Sequence, residues 1–195
     1  MEQYHYTDRK MLDMHVYPSF LSPKESKSLY TYLEKNVKWS RPITKGRRTH
    51  QDYGEEGMSY ILNIRGTKLV RYVINWDTLP PLLKLKESIE QNASPPGTKY
   101  DYCVIQRYPS GKVGISPHRD KEMKKGTHIA GISIGENRTL KMGAPYYSEY
   151  EDFEVPLPNG SLYVFNPPTN SHWSHCIKKD DTIAPRISIT FRYFG

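Results

Sequence analysis

His118 and Asp120 stand two residues apart in Ser116-Pro117-His118-Arg119-Asp120. In an extended segment residues i and i+2 project to the same side, so one imidazole and one carboxylate can reach a single ion together. Two imidazoles and one carboxylate make the ligand set that holds Fe(II) while leaving a face open for a cofactor and O2. His-x-Asp alone is a weak signal, and the second imidazole must come from elsewhere in the chain.

A second block lies near the C-terminus. In Arg186-Ile187-Ser188-Ile189-Thr190-Phe191-Arg192 every even position is polar and every odd one apolar, the period-2 pattern of a strand with two unlike faces. The simpler reading is a half-buried strand that shows its polar face to water. The alternative is a cavity lined by two arginines, where a planar guanidinium suits the carboxylate of an acidic cofactor.

Four blocks together carry a resemblance: Gln106-Arg107-Tyr108, His118-Arg119-Asp120-Lys121-Glu122, Pro167 to His175, and Ala184 to Arg192. In order and spacing they resemble the AlkB family of Fe(II)/2-oxoglutarate dioxygenases, and most of all the eukaryotic AlkB homologues that repair alkylated duplex DNA. The resemblance runs from about Tyr53 to the last residue. It implies Fe(II) and 2-oxoglutarate as cofactors, O2 as co-substrate, and His118, Asp120 and His175 as metal ligands. His172, the rival of His175, is then a residue that supports the ligands or the fold.

The same resemblance places Arg186 at the distal carboxylate of 2-oxoglutarate and Arg192 near its metal-bound end. Along a strand these Cα atoms lie roughly 20 Å apart, so the two side chains must lean together to share one small diacid. Tyr108 and Thr190 match further cofactor contacts. Gln106 and Ser188 stand where the family usually has Asn, and both can still hydrogen-bond. Glu122 and Tyr60 match the residues that read the substrate base, and Leu62 stands where a related enzyme stacks an aromatic.

Tyr53 to Tyr60 resembles the family's nucleotide-recognition lid, placed over 41–66. The basic cluster Arg41, Lys45, Arg47 and Arg48 opens this Gly-broken, polar stretch, and with Tyr53 it is a candidate for contacts with nucleic acid. A bland surface loop is the competing reading. Glu122, among Lys121, Lys124 and Lys125, could equally be a solvated charge.

The elements that must position these groups follow from local pattern. Ser22-Pro23-Lys24-Glu25 has the form of a capping box, and Leu29, Leu33 and Val37 recur every four residues, which predicts a helix over 23–38. Leu82, Leu83, Leu85 and Ile89 predict a second over 80–92, closed by Pro95-Pro96-Gly97. Strands are expected at Tyr102–Tyr108, Ile129–Ile134, Arg138–Met142, Phe153–Val155, Ser161–Phe165 and Arg186–Tyr193. Short strands at close spacing point to a double-sheet β-fold. The resemblance narrows this to a double-stranded β-helix, a jelly roll, with N-terminal helices packed outside. One domain over 1–195 is expected.

The chain has 195 residues, 36% hydrophobic and 25% charged, a composition that excludes disordered and fibrous classes and fits one compact core. Lys and Arg total 28 against 21 Asp and Glu, a net +7 that attracts polyanions. No apolar run is long enough to span a bilayer, and Met1 to His5 does not begin a signal peptide. A soluble, intracellular monomer without membrane contact is expected, in the nucleus if the substrate is DNA. Cys103 and Cys176 are the only cysteines and read as reduced packing residues. His5, His15, His50 and His128 read as unconnected surface or core histidines.

The activity implied by the resemblance is oxidative demethylation of 1-methyladenine and 3-methylcytosine in DNA or RNA, with release of succinate, CO2 and formaldehyde. A 2-oxoglutarate oxygenase acting on RNA, protein or lipid, and a non-catalytic nucleic-acid-binding module, are the alternatives.

Overall fold

The computed structural model describes residues 2–43, 46–64 and 66–195. Lys45 and the Leu62 side chain lie outside the described residues. In chain order the strands are β1 (Tyr4–Tyr6), β2 (Met14–Tyr17), β3 (Thr49–Gly54), β4 (Ser59–Ile64), β5 (Thr67–Tyr72), β6 (Ile74–Asn75), β7 (Tyr102–Tyr108), β8 (Ile115–His118), β9 (Ile129–Gly135), β10 (Arg138–Gly143), β11 (Phe153–Leu157), β12 (Ser161–Phe165), β13 (Ser174–Ile177) and β14 (Arg186–Arg192). The helices are α1 (Pro23–Asn36), α2 (Pro80–Asn92) and the single turn α3 (Thr169–His172).

Eight strands form one sheet in the order β1-β2-β12-β9-β14-β7-β3-β6, four form a second in the order β11-β10-β13-β8, and β4 pairs only with β5. This is the expected jelly roll. Two apolar layers hold it together. One joins Leu29, Leu33, Leu82 and Ile89 of the helices to Ile105, Ile132, Ile187 and Phe191 of the large sheet. The other fills the space between the sheets with Met14, Ile129, Phe165, Leu140, Val155 and Trp173.

The helices form where their sequences require. The Glu25 amide donates to the Ser22 hydroxyl at 3.3 Å and the Ser22 amide donates to the Glu25 carboxylate at 2.8 Å, so the expected capping box closes the first turn, worth about 1 kcal/mol. α1 stops at Asn36, two residues short of the expected end, because Val37 is already extended at φ −69, ψ 128. α2 has the expected bounds.

β14 is the centre of the large sheet, paired along its whole length with β7 on one side and β9 on the other. All seven of its residues are buried, so it is not the half-exposed strand that alternation alone suggests. Ile187, Ile189 and Phe191 face the helices, each contributing about 1.5–3 kcal/mol of burial. The polar positions Arg186, Ser188, Thr190 and Arg192, although buried, point the opposite way, between the sheets.

The expected irregular lid is corrected in part. Thr49–Gly54 is a strand paired with β7 at six consecutive positions. Tyr53 is 1% exposed, packs in the helix-side core and accepts a hydrogen bond from the Lys38 amide at 3.2 Å. A ring so enclosed cannot contact nucleic acid, and Tyr53 is a core residue. What stands apart from the main sheet is the β4–β5 hairpin, joined at six cross-strand positions from Ser59↔Tyr72 to Ile64↔Thr67. Among the described residues no helix is long and apolar enough to cross a membrane. Cys103 and Cys176 are free and buried.

Candidate active site

β8 and β13 lie side by side at the end of the small sheet, and His118 and His175 are direct cross-strand partners. Their ring centroids are 4.4 Å apart. Asp120, just past the end of β8, puts a carboxylate oxygen 3.5 Å from His118 Nε2, and donor atoms of all three residues lie within 4.8 Å of one another. His172 is exposed on the turn before β13, beside Tyr146 and Tyr150. It neither joins the triad nor stands behind it, because the turn carries its side chain to the outer surface.

The electrostatics prepare these groups for a cation. For Asp120 burial alone would favour the neutral acid, yet Arg192, the hydrogen bond from His118 and the charge of the histidines hold its carboxyl well below the usual carboxylate range. Burial brings His175 down to about 4, so this imidazole is neutral at pH 7. Burial also works against the charged form of His118, but its hydrogen bonds to Asp120 and to the Ser116 carbonyl raise its pKa overall. Asp120 Oδ2 and His175 Nδ1 are buried and, among the described residues, lack a partner. Two imidazoles, a carboxylate and orphaned polar atoms fit Fe(II).

The buried polar face of β14 lies beside this triad. Arg186 is 1% exposed; its Nε donates to Ser133 Oγ at 2.7 Å, while Nη1 is buried with no partner among the described residues. Burial pulls its pKa down, and the charges nearest it are phenols and another arginine, with no acid among them. A sealed guanidinium with a free donor and no counter-ion requires an anionic ligand, which is what a dicarboxylate cofactor offers.

Tyr108, opposite Arg186 in the register, has its ring 5.1 Å from that guanidinium and donates its hydroxyl proton to Gln106 Oε1 at 3.0 Å. Gln106 thus reaches the expected neighbourhood in place of Asn. Ser188 lies opposite Gln106, and Thr190 opposite Val104 and Gly131.

Arg192 is committed differently. Its Nη2 lies 2.8 Å from Asp120 Oδ1 and its Nη1 3.9 Å from Glu122. Burial opposes its charge, but Asp120 more than compensates and its pKa is raised. The two arginines therefore do not converge on one diacid: Arg186 has a vacant donor, and Arg192 steadies the ligand carboxylate. Arg192 Nε remains without a partner among the described residues.

A cleft of about 240 Å³ opens onto His118 and Asp120 of the triad, and is lined as well by Tyr60, Glu122, Arg48 and Arg192. Tyr60 and Glu122, which the resemblance matches to base-reading residues, line the same cleft as His118 and Asp120. Arg48 is half-buried at the cleft with its guanidinium 5.6 Å from the Tyr108 ring, and Arg47 is exposed beside it.

Sequence reasoning missed four residues here. Asp52 is buried on β3 and accepts from the Tyr102 hydroxyl at 2.9 Å and the Tyr60 hydroxyl at 3.1 Å, with Arg71 at 3.4 Å. Burial, then the charge of Asp52, pushes the Tyr102 phenol far up, so it stays a donor. Tyr163 is buried opposite Gly131, which pairs in turn with Thr190, and burial pushes its phenol up to about 12. Ser133 was findable as the lone polar residue in Ile132-Ser133-Ile134; Asp52, in a stretch without alternation, was not.

The model of the 2OG-Fe(II) oxygenase superfamily matches residues 13–192. The human protein named DNA oxidative demethylase ALKBH2 is 28% identical over 196 residues, covering 90% of this chain and 71% of its own length. The cattle protein named alpha-ketoglutarate-dependent dioxygenase alkB homolog 3 is 28% identical over 192 residues, covering 90% and 64%. The solved structure described as that of OsALKBH1 superposes with a TM-score of 0.61 at 14% identity over 92% of this chain and 96% of the other, which shows a shared fold. The chain belongs to the 2OG-Fe(II) oxygenase superfamily, with the AlkB homologues, and is a dioxygenase whose cofactors are Fe(II) and 2-oxoglutarate.

Proposed function

We propose that this protein removes methyl groups oxidatively from N-alkylated bases in nucleic acid, with 1-methyladenine and 3-methylcytosine as its substrates and DNA repair as its role. The observation that carries the reading is the cleft itself: Glu122, Tyr60 and the buried Asp52 line it together with the ligands His118 and Asp120 and with Arg48 and Arg71. Both lesions are cationic at neutral pH, and a carboxylate beside the base offsets that charge and accepts from the exocyclic amine. The name of the human relative, DNA oxidative demethylase ALKBH2, supports the same substrate class.

His118, Asp120 and His175 would hold Fe(II), which with 2-oxoglutarate and O2 would supply the oxidative chemistry needed to hydroxylate the N-methyl carbon. One oxygen atom enters the methyl group and the other enters succinate as CO2 leaves. The hydroxymethyl group then leaves as formaldehyde with loss of its hydroxyl proton, and the N–C bonding pair stays on the ring nitrogen as the lone pair of the neutral base. Arg186 pairs with the distal carboxylate of the cofactor, with Tyr108, Gln106, Ser188 and Thr190 completing its polar surroundings. Arg192 keeps Asp120 ionised and oriented. Tyr60, fixed through its hydroxyl to Asp52, forms a wall for the flipped base, whose extrusion costs a few kcal/mol and less for a lesion that cannot pair. Arg47 and Arg48 hold backbone phosphates.

The test is incubation with Fe(II), 2-oxoglutarate and a panel of methylated DNA and RNA oligonucleotides, read by mass. Loss of the mass of one CH2 unit is expected on 1-methyladenine and 3-methylcytosine, and slower on the neutral 1-methylguanine and 3-methylthymine. Glu122→Gln should narrow that preference. Equal rates on cationic and neutral lesions, in both proteins, would return Glu122 to a solvated charge and remove the basis for this substrate.

A further inference from the structure

The β1–β2 ribbon, at the edge of the large sheet, carries a cluster that the active site does not use. His5 and His15 are direct cross-strand partners, and their rings stack with centroids 3.9 Å apart and planes inclined by 14°. Asp13 joins them: its Oδ1 lies 2.9 Å from His5 Nε2 and 3.7 Å from His15 Nε2. The donor atoms of the three residues lie within 4.8 Å of one another. These histidines are therefore not the unconnected residues expected from sequence.

The cluster repeats the construction of the catalytic triad. In each, two histidines face one another across an antiparallel pair, His118↔His175 and His5↔His15. In each, a carboxylate stands two residues from one of them, Asp120 from His118 and Asp13 from His15. Side chains at i and i+2 share a face, so the carboxylate and both imidazoles meet on one side of the ribbon.

Asp13 is held firmly from behind. Its amide donates to Thr169 Oγ1 at 2.8 Å, its carbonyl accepts from the Asn166 amide at 2.9 Å, and Oδ1 accepts from Asn166 Nδ2 at 3.1 Å. The Gln3 side-chain amide contacts His15 Nδ1. A turn of that amide presents its oxygen, the acceptor that the N–H of a metal-bound imidazole needs.

We propose that His5, Asp13 and His15 form a second metal site, for a divalent ion that favours imidazole: Zn(II), Ni(II) or Cu(II). The side chains of His5, Asp13 and His15 are 46%, 36% and 21% exposed, so the ion enters from solvent and water completes its coordination. Binding ties β1 to β2 and, through Asp13, to the Asn166–Thr169 segment that leads into β13 and His175. The site is structural, and it stands independently of the substrate reading above.

The experiment is equilibrium dialysis of the untagged full chain against Zn(II), with bound metal measured per chain. His5→Ala should take up one equivalent less than the native chain, and His5→Gln the same, with circular dichroism reporting that both keep the fold. A chain carrying His118→Ala and His175→Ala should retain the equivalent that depends on His5, and Zn(II) should raise its melting temperature. Equal uptake by the native chain and the His5 variants overturns the proposal, as does loss of the His5-dependent equivalent when only His118 and His175 are replaced.

Discussion

Arg186 holds a full positive charge inside the protein with one nitrogen left over. An anionic ligand that meets it gains a charge-assisted pair worth about 1.5–3 kcal/mol. Arg186→Ala should therefore raise the half-saturating 2-oxoglutarate concentration roughly ten- to a hundred-fold by the same figures, measured by succinate release. An unchanged dependence would remove Arg186 from the cofactor site. Arg192→Ala should act elsewhere, on metal retention, because its partner is Asp120.

The histidines differ in what metal must displace. Hydrogen bonds to Asp120 and Ser116 raise the His118 imidazole above its ordinary value, so at pH 6.5 it holds a proton in more than half of the metal-free molecules, whereas His175 at about 4 does not. Metal binding at pH 6.5 should release more than half a proton per site, read by calorimetry in buffers of different ionisation enthalpy. Affinity should fall as pH drops through the raised value of His118. The sign for the metal-free fold separates the two groups. His118 contributes stability that is present below pH 6.5 and lost as pH rises through its folded value. His175 contributes stability that is present above 6.5 and lost as pH falls towards 4. A binding heat that stays the same across those buffers would show that His118 had no proton to lose.

At the level of the elements, a crossing of three strands keeps the cofactor wall in place. Tyr163 of β12 lies over Gly131 of β9, and a Cβ at 131 would sit 2.1 Å from the Tyr163 ring. Gly131→Ala must displace a rigid buried ring that lies over the strand next to Thr190, at a cost of about 1–3 kcal/mol. Urea denaturation should show that loss together with a higher 2-oxoglutarate requirement. If stability falls and cofactor binding does not, Tyr163 only fills space.

The elements that the chain declared in advance share one property: local pattern and tertiary environment agree. β7 and β12 appear with the expected bounds, and β14 within one residue, because apolar runs or strict alternation coincide with complete burial. β3 was illegible since Thr-His-Gln-Asp-Tyr-Gly has no such pattern; pairing with β7, and two phenols from Tyr60 and Tyr102, are what let Asp52 stay buried. β8 and β13, four residues each, are too short to show a period, although the ligands they carry were readable by resemblance. The His5–Asp13–His15 cluster was hidden for a similar reason, since only the β1–β2 register brings it together.

Over the whole molecule the net charge of +7 acts at long range on polyanions, and the half-buried Arg48 lines the cleft with the exposed Arg47 next to it in the chain. Oligonucleotide affinity should fall steeply with salt, and replacing Arg47 and Arg48 together should flatten the log–log slope by about two units. A flat salt response of the native chain would count against any nucleic-acid substrate.

β14 pairs between β7 and β9, yet it is made after both. Translation runs from the N-terminus, so for the time needed to add residues 136–192 the facing edges of β7 and β9 have no partner. Those are the bare strand edges from which chains associate with one another. The segment that finally closes them brings Arg186 and Arg192 with it. The sheet thus gains the hydrogen bonds of β14 and the buried guanidinium of Arg186 in the same event.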